Sequence, residues 1–349
     1  MKTREAVIAG PAHLLPDTGA LYFDIETTGL SAYDSQLYLI GCCRSDGEQF
    51  ILTQWFAEEL IDEPRLLHAF FEEVRRHERL ISYNGDTFDL RYLQTCAEQF
   101  HLPYTFEGLE SVDLMRSARK LKKFLGFPNC RLKTIEQYFG IGREDEKSGG
   151  ELIYEYLDWQ NTREEALLQD LLLHNFEDIA NLPRVAACLQ AYEGLTDREY
   201  ACAYALSEDA LTVTLTAPGL TFPTPVQALV QTTAVTLADN AVTLRFPAAY
   251  GEHRHYYKDF RNYDYLPAED TAMLRAISQF LEPPRRKRAT AATCYTRHSG
   301  LFIEEPCACL EPDFADALKA PVHYALYEED KFTETDARQL AIATLKLLT

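Results

Sequence analysis

The reading of the fold turns on one stretch, Leu21-Tyr22-Phe23-Asp24-Ile25-Glu26-Thr27-Thr28-Gly29-Leu30. Its apolar residues Leu21, Tyr22, Phe23 and Ile25 predict a central, largely buried strand. Asp24 and Glu26 stand two apart, so a strand points both to one face of the sheet. Like charges side by side repel, and burying them unpaired is costly. A divalent cation between them removes the repulsion, and hard cations such as Mg²⁺ prefer carboxylate oxygens. The plainer alternative is a solvated strand face.

Outward from this strand, residues 36–44 and 48–54 alternate in strand fashion and are joined through Asp46-Gly47, a hairpin signal. An amphipathic helix follows from Asp62, with Pro64 in its first turn and Leu66, Leu67, Phe70, Phe71 and Val74 on one face. A short strand is expected over 79–83, a helix from about Thr87, and another strand over 111–113 leading into basic helical segments. The last long helix is expected to open at Thr162, with Glu165 completing a capping box, and to kink or end near Asn181 because of Pro183. Strands alternating with helices of this length favour an α/β fold, a mixed sheet covered by helices.

Two further acidic segments stand out. In Tyr83-Asn84-Gly85-Asp86-Thr87-Phe88-Asp89 a strand end, a turn and a helix start meet, which places Asp89 in a first helical turn whose dipole favours its anion. Asp86 and Thr87 compete for the cap. On the last helix His174 and Asp178 are four apart and share a face. A histidine there can take a proton from water while the aspartate binds a metal, and Asp170 and Glu177 fit similar parts. A surface His-Asp pair is the ordinary alternative.

Taken in order, FDIETTGL, Y-N-x-x-x-F-D and H-N-x-x-D resemble the three motifs of the DEDD (DnaQ-like) 3′-to-5′ exonucleases, which have the ribonuclease H-like fold. Within that superfamily the chain looks closest to the YprB-like ribonuclease H-like proteins, and the resemblance covers roughly residues 18–192. It implies a five-stranded mixed sheet, with Asp24, Glu26, Asp89 and Asp178 as ligands of two Mg²⁺ or Mn²⁺ ions. Two such ions, about 3.5–4 Å apart, stabilise the attacking and leaving oxygens in phosphodiester hydrolysis. His174 is then the catalytic residue that orients or deprotonates water. It lies four residues before Asp178, the spacing of tyrosine-type members, where histidine-type members have five. Thr27, Tyr83, Asn84, Arg119 and Lys133 are the expected nucleic-acid contacts. The expected reaction is exonucleolytic cleavage of single-stranded DNA or RNA ends. A non-cutting nucleic-acid-binding protein and a ribonuclease H-like endonuclease are the alternatives.

Composition sets the frame for this reading. With 349 residues, 46% apolar and 25% charged, the chain is long enough for about two folded domains. Neither a lone binding module nor a disordered chain fits. Apolar runs are too short for a membrane span, and the opening MKTREAVIAGPAHLLPD is too interrupted for a signal peptide. Nine scattered cysteines without C-x-x-C fit free thiols in a reducing cytoplasm. The net charge of −20 argues against a protein that coats nucleic acid by electrostatics alone, though not against an enzyme acting on it. From Arg116 to Arg143 eight Lys and Arg face one acid, Glu136, a stretch suited either to a phosphate backbone or to a solvated helix face.

Texture changes near Glu193-Gly194, so domains are expected at 1–195 and 196–349. The second reads as a smaller, β-rich α+β domain, with strands over 209–215, 232–237 and 241–246, a turn at Asp239-Asn240 and a helix over 267–281. In HRHYYKDFRNYDY, residues 253–265, Arg and Lys interleave with aromatics, as on base-stacking surfaces or in a half-buried strand pair. His253 and His255 form a lone H-x-H, weak as a metal site. The basic run 283–288 is expected to be an exposed loop able to meet phosphate.

Overall fold

A computed structural model describes residues 1–10, 18–47 and 49–348, which divide into two compact units, Met1–Glu193 and Gly194–Thr349. Glu48, expected to begin a strand, lies outside the described residues, as do Pro11–Asp17 of the N-terminal stretch.

The first unit contains β1 (Lys2–Ala9), β2 (Ala20–Thr27), β3 (Leu37–Asp46), β4 (Gln49–Phe56), α1 (Glu63–Val74), β5 (Arg79–Ser82), α2 (Asp89–Gln99), β6 (Glu110–Asp113), α3 (Leu114–Leu125), α4 (Leu132–Tyr138), α5 (Gly149–Thr162) and α6 (Glu165–Tyr192). Among the described residues six strands form one sheet in the order β1-β4-β3-β2-β5-β6. The β2-β5 and β5-β6 pairs are parallel and the others antiparallel, so the sheet is mixed as expected. It has one strand more than the five expected. The additional strand is β1, whose KTREAVIA is exposed over most of its length at the sheet edge and carries little burial pattern to read. β2 is central, with Leu21, Phe23 and Ile25 packed in a core shared with Phe70, Phe71 and Val74 of α1 and with Tyr156 and Trp159 of α5.

Two helix boundaries differ from expectation. Thr162 closes α5 instead of opening α6, and the capping box sits at Ser148 and Glu151, at the start of α5. Pro183 lies inside α6, which runs on to Tyr192. Its cost of about 3 kcal/mol is outweighed by the burial of Ile179, Leu182, Val185, Leu189 and Tyr192 around it. α6 approaches the sheet closely at Gly41 of β3, where a Cβ would stand 2.2 Å from Asn175 Oδ1 and 2.7 Å from Ile179 Cδ1. Only a bare backbone admits the helix at that point.

The second unit contains β7 (Ala201–Leu206), β8 (Ala210–Thr216), β9 (Val226–Val230), β10 (Thr233–Ala238), β11 (Ala241–Tyr256), β12 (Tyr263–Leu266), β13 (Thr271–Leu274), α7 (Arg275–Ser278), β14 (Lys287–Arg288), β15 (Tyr295–Glu305), β16 (His323–Tyr327) and α8 (Glu334–Leu348). The long β11 pairs with β8 and β10 along its first half and with β15 along its second. β12, β13 and β14 make a separate small sheet. The helix expected over 267–281 shrinks to α7, because Thr271–Leu274 pairs with β12 as β13. The tyrosines expected as a stacking surface largely pack on one another. Tyr257 and Tyr263 stack at 4.7 Å, and Tyr257, Tyr263 and Tyr265 lie against Ala272, Ala289 and Cys294. They act as the half-buried strand pair. His253 and His255 are likewise engaged, with Asp316 and the Asp313 carbonyl.

Candidate active site

The carboxyl ends of β2 and β5 are where this sheet can host chemistry. The two strands pair only over Ala20–Tyr22 on β2, so the edge of β2 beyond Tyr22 is no longer covered by β5. Asp89, the first residue of α2, reaches that edge, and its Oδ1 accepts a hydrogen bond from the Ile25 N–H at 3.3 Å. α2 has no side-chain cap. Asp86 instead accepts from Ser111 Oγ at 2.5 Å and pairs with Arg116 at 2.7 Å, and Thr87 donates to Asn84 Oδ1 at 2.7 Å. Asp89 is left to the site.

Asp24 and Glu26 project from β2 toward α6, where Asn175 and Asp178 meet them. Asn175 Nδ2 donates to Asp24 Oδ2 at 3.1 Å, while its own Oδ1 accepts from Gln54 of β4 at 2.9 Å. This buried relay fixes one Asp24 oxygen. Glu26, His174 and Asp178 each bring one potential ligand atom within 4.8 Å of the others. His174 Nε2 lies 3.6 Å from both Glu26 Oε1 and Asp178 Oδ2, and Nδ1 lies 2.6 Å from Asp145 Oδ2.

The electrostatics follow from crowding. Burial, then the charges of Asp178, Glu26 and Asp89, push the Asp24 carboxyl well above the usual carboxylate range. Burial and the charges of Asp178, Asp89 and Asp145 do the same to Glu26. Asp89 is pushed up to about 7 by burial, against two backbone hydrogen bonds that favour its anion. The donor set is all hard oxygen plus one imidazole, in a site short of positive charge. Those are the properties of residues that fit a divalent cation such as Mg²⁺ or Mn²⁺.

Asp145 gave no sequence signal, and Arg143 stood out only as the end of the basic stretch. Arg143, from the loop before α5, places Nη1 2.5 Å from Asp178 Oδ1, and it also pairs with Glu136 at 3.0 Å and Asp145 at 3.3 Å. The surrounding carboxylates outweigh its burial and hold it charged. Asp145 is held down to about 2, the Lys133 ammonium and His174 overcoming its burial. GREDEK, residues 142–147, is a charged loop without periodicity, and only the tertiary fold brings it to the site. Glu177 and Asp170 have other partners: Glu177 accepts from the backbone of Glu144 and Asp145, and Asp170 pairs with Lys147 at 2.6 Å.

The expected nucleic-acid contacts have mixed positions. Lys133 spends its ammonium on Asp145 at 2.9 Å and on the Lys147 carbonyl. Thr27 is buried and donates to Gly29 O at 2.7 Å. Tyr83 donates to Cys130 O at 2.9 Å, and Asn84 takes the left-handed conformation, its N–H bonded to Asp113 at 2.7 Å. Arg119 lies on the exposed face of α3 with Lys120, Lys122 and Lys123, so the basic stretch does present charge to solvent.

Residues 21–190 match the family model described as the RNase_H superfamily. The mixed sheet and flanking helices of this segment fit a ribonuclease H-like fold. Among solved structures, the chain is similar to the family B DNA polymerase of the hyperthermophilic archaeon Pyrobaculum calidifontis, at 18% identity and a TM-score of 0.38, covering 60% of this chain and 38% of that one. It is similar to Brucella melitensis NrnC with bound Mg²⁺, at 15% identity and a TM-score of 0.33, covering 50% and 72%. Escherichia coli Exonuclease I in complex with a dT13 oligonucleotide is a third, at 14% identity and a TM-score of 0.33, covering 49% and 40%. The chain thus spans well under half the length of the polymerase it matches. No curated protein matches the sequence. Among the described residues no helix is long and apolar enough to cross a membrane.

Proposed function

We propose that the chain is a divalent-metal-dependent nuclease, a DEDD-type 3′-to-5′ exonuclease of single-stranded DNA or RNA ends working in the cytoplasm. The observation that carries this reading is the convergence of four carboxylates from three separate segments on one undercompensated site: Asp24 and Glu26 from β2, Asp89 from α2 and Asp178 from α6. These four are the residues that would hold Mg²⁺ or Mn²⁺. Bound there, the ions supply positive charge to the attacking and leaving oxygens of a phosphodiester.

The chain's own contribution is proton handling and orientation. His174 Nδ1 donates to Asp145, which fixes the ring and leaves Nε2 as the acceptor, facing Glu26 and Asp178. Nε2 is therefore the atom that takes a proton from water. Asn175 orients Asp24, and the Ile25 N–H orients Asp89. Arg143 holds Asp178 and draws Asp145 toward His174. That same arginine, seated against a ligand carboxylate, favours a second reading: a protein that holds strands without cutting, its site neutralised from within.

The test is a time course on end-labelled single-stranded DNA and RNA with Mg²⁺, Mn²⁺ or EDTA, using the wild type and Asp24→Asn. A metal-dependent ladder shortening from the 3′ end, absent in the variant, is the expected result. Binding without turnover on every linear strand supports the second reading. Cleavage of circular single-stranded DNA, on which an exonuclease cannot begin, identifies an endonuclease.

A further inference from the structure

The second unit contains a charge arrangement the active site does not use. Asp264 of β12 is 4% exposed and receives Ser278 Oγ at 2.7 Å and Arg286 at 3.2 Å. Arg275 and Arg288 stand 4.0 Å from its other oxygen, and the β12-β14 register places Arg288 opposite it. One carboxylate thus gathers three guanidiniums, and among the described residues no second carboxylate is ion-paired to any of them. From Arg254 to Arg297 nine Lys and Arg stand against five acids, within a unit that is acidic overall.

Exposed apolar residues lie beside them in sequence. Leu274, Ile277 and Phe280, three residues apart along the α7 turn, are 44%, 58% and 83% exposed. Planar, forked guanidiniums suit phosphate oxygens, and an exposed aromatic suits a base face. Basic and apolar side chains together can also meet an anionic bilayer, but α7 has four residues and forms no long amphipathic helix to lie in an interface.

We propose that Arg275, Arg286 and Arg288, arranged by Asp264, together with Phe280, form a binding site for single-stranded nucleic acid: phosphates on the arginines and a base on the phenyl ring. The proposal rests on the nuclease reading only for its choice of nucleic acid over other polyanions.

The test uses the full chain in EDTA, where an unneutralised carboxylate cluster repels phosphate and this site dominates binding. Anisotropy of fluorescein-labelled (dT)20 and (rU)20 is followed against salt for the wild type, for Arg275→Gln with Arg288→Gln, and for Phe280→Ser. Arg286 is retained to hold Asp264, and circular dichroism melts verify that each variant folds. The double variant is expected to bind about tenfold more weakly, with its salt slope reduced by about 1.4, two phosphates at about 0.7 each. Phe280→Ser is expected to lose roughly tenfold with the slope unchanged.

Wild-type affinity and slope in both variants would overturn the proposal. So would substitutions that abolish binding to phosphatidylserine vesicles and spare the strands. Cleavage in Mg²⁺ is scored separately. A chain that binds through these residues and never cuts removes the nuclease reading and keeps this one, and a chain that cuts while ignoring all three substitutions does the reverse.

Discussion

The carboxylate cluster of the first unit and the Asp264 hub of the second are opposite imbalances. Of Asp24, Glu26, Asp89 and Asp178, only Asp178 is ion-paired to an arginine among the described residues. At the hub, three arginines share one aspartate. Unpaired buried charge is expensive, which bears on the buried cluster, whereas the hub's arginines reach solvent and are gathered by the one buried carboxylate. A surplus of one sign points to a ligand of the other: cations at the cluster, phosphate at the hub.

The contrast breaks or sharpens first at Glu305, a buried carboxylate of the second unit with no cationic side chain paired to it among the described residues. Burial pushes it up to about 8, against hydrogen bonds from the Cys309 and Leu310 N–H groups. Unfolded, it titrates near 4.3, so between these values the folded form keeps a proton that the unfolded chain has lost. Its contribution is full below about pH 4.3 and is lost as pH rises through about 8. Glu305→Gln is expected to be more stable than the wild type by roughly 5 kcal/mol at pH 9 and by far less at pH 5, read by urea denaturation. If Glu305→Gln is no more stable at pH 9, isolated buried acids here are tolerated without cost, and the carboxylate cluster needs no cation to offset it.

Next in size is Asp264→Asn. Removing the one anion leaves the guanidiniums facing each other, for an expected loss of about 3 kcal/mol, near the low end for a broken buried pair because the arginines reach solvent. Unchanged stability would mean that Asp264 organises nothing.

Asp145→Asn probes positioning at the cluster. An expected fall of about 10–100-fold in kcat, with KM kept, separates orientation of His174 from substrate binding. A rise in KM alone would assign Asp145 to binding.

The smallest effect makes the mirror image of the hub. Asp24→Asn removes one of several crowded charges, on a carboxyl whose charged form burial and its acidic neighbours already disfavour, so in EDTA it is expected to stabilise the chain, read by urea denaturation. Destabilisation would show that the cluster is already balanced without a cation.

What the sequence disclosed follows the same physics. The apolar run around Asp24 and Glu26, the Asp46-Gly47 hairpin and the helix face of Leu66, Phe70 and Val74 are local patterns, and each leads to the observed strand, turn or helix. Asp24, Glu26, Asp89 and Asp178 were singled out together by the resemblance of the three motifs to one family. Arg143 and Asp145 were not, since an aperiodic charged loop says nothing of where it lands. Lys133 looked like a phosphate contact and is engaged with Asp145, because a lysine's partner is set by tertiary neighbours. β1 was missed because an exposed edge strand needs no apolar alternation, and the helix expected over 267–281 failed because β13 gains more from pairing with β12.

The proposed nuclease stands or falls on whether the cluster's surplus negative charge binds divalent cations. The most direct measurement is calorimetric titration of the full chain with Mn²⁺, wild type against Asp24→Asn. Two bound ions in the wild type, with binding lost or reduced to one weak site in the variant, is the expected result. A wild-type chain that takes up no Mn²⁺, with Arg143 serving as the site's own cation, would contradict it.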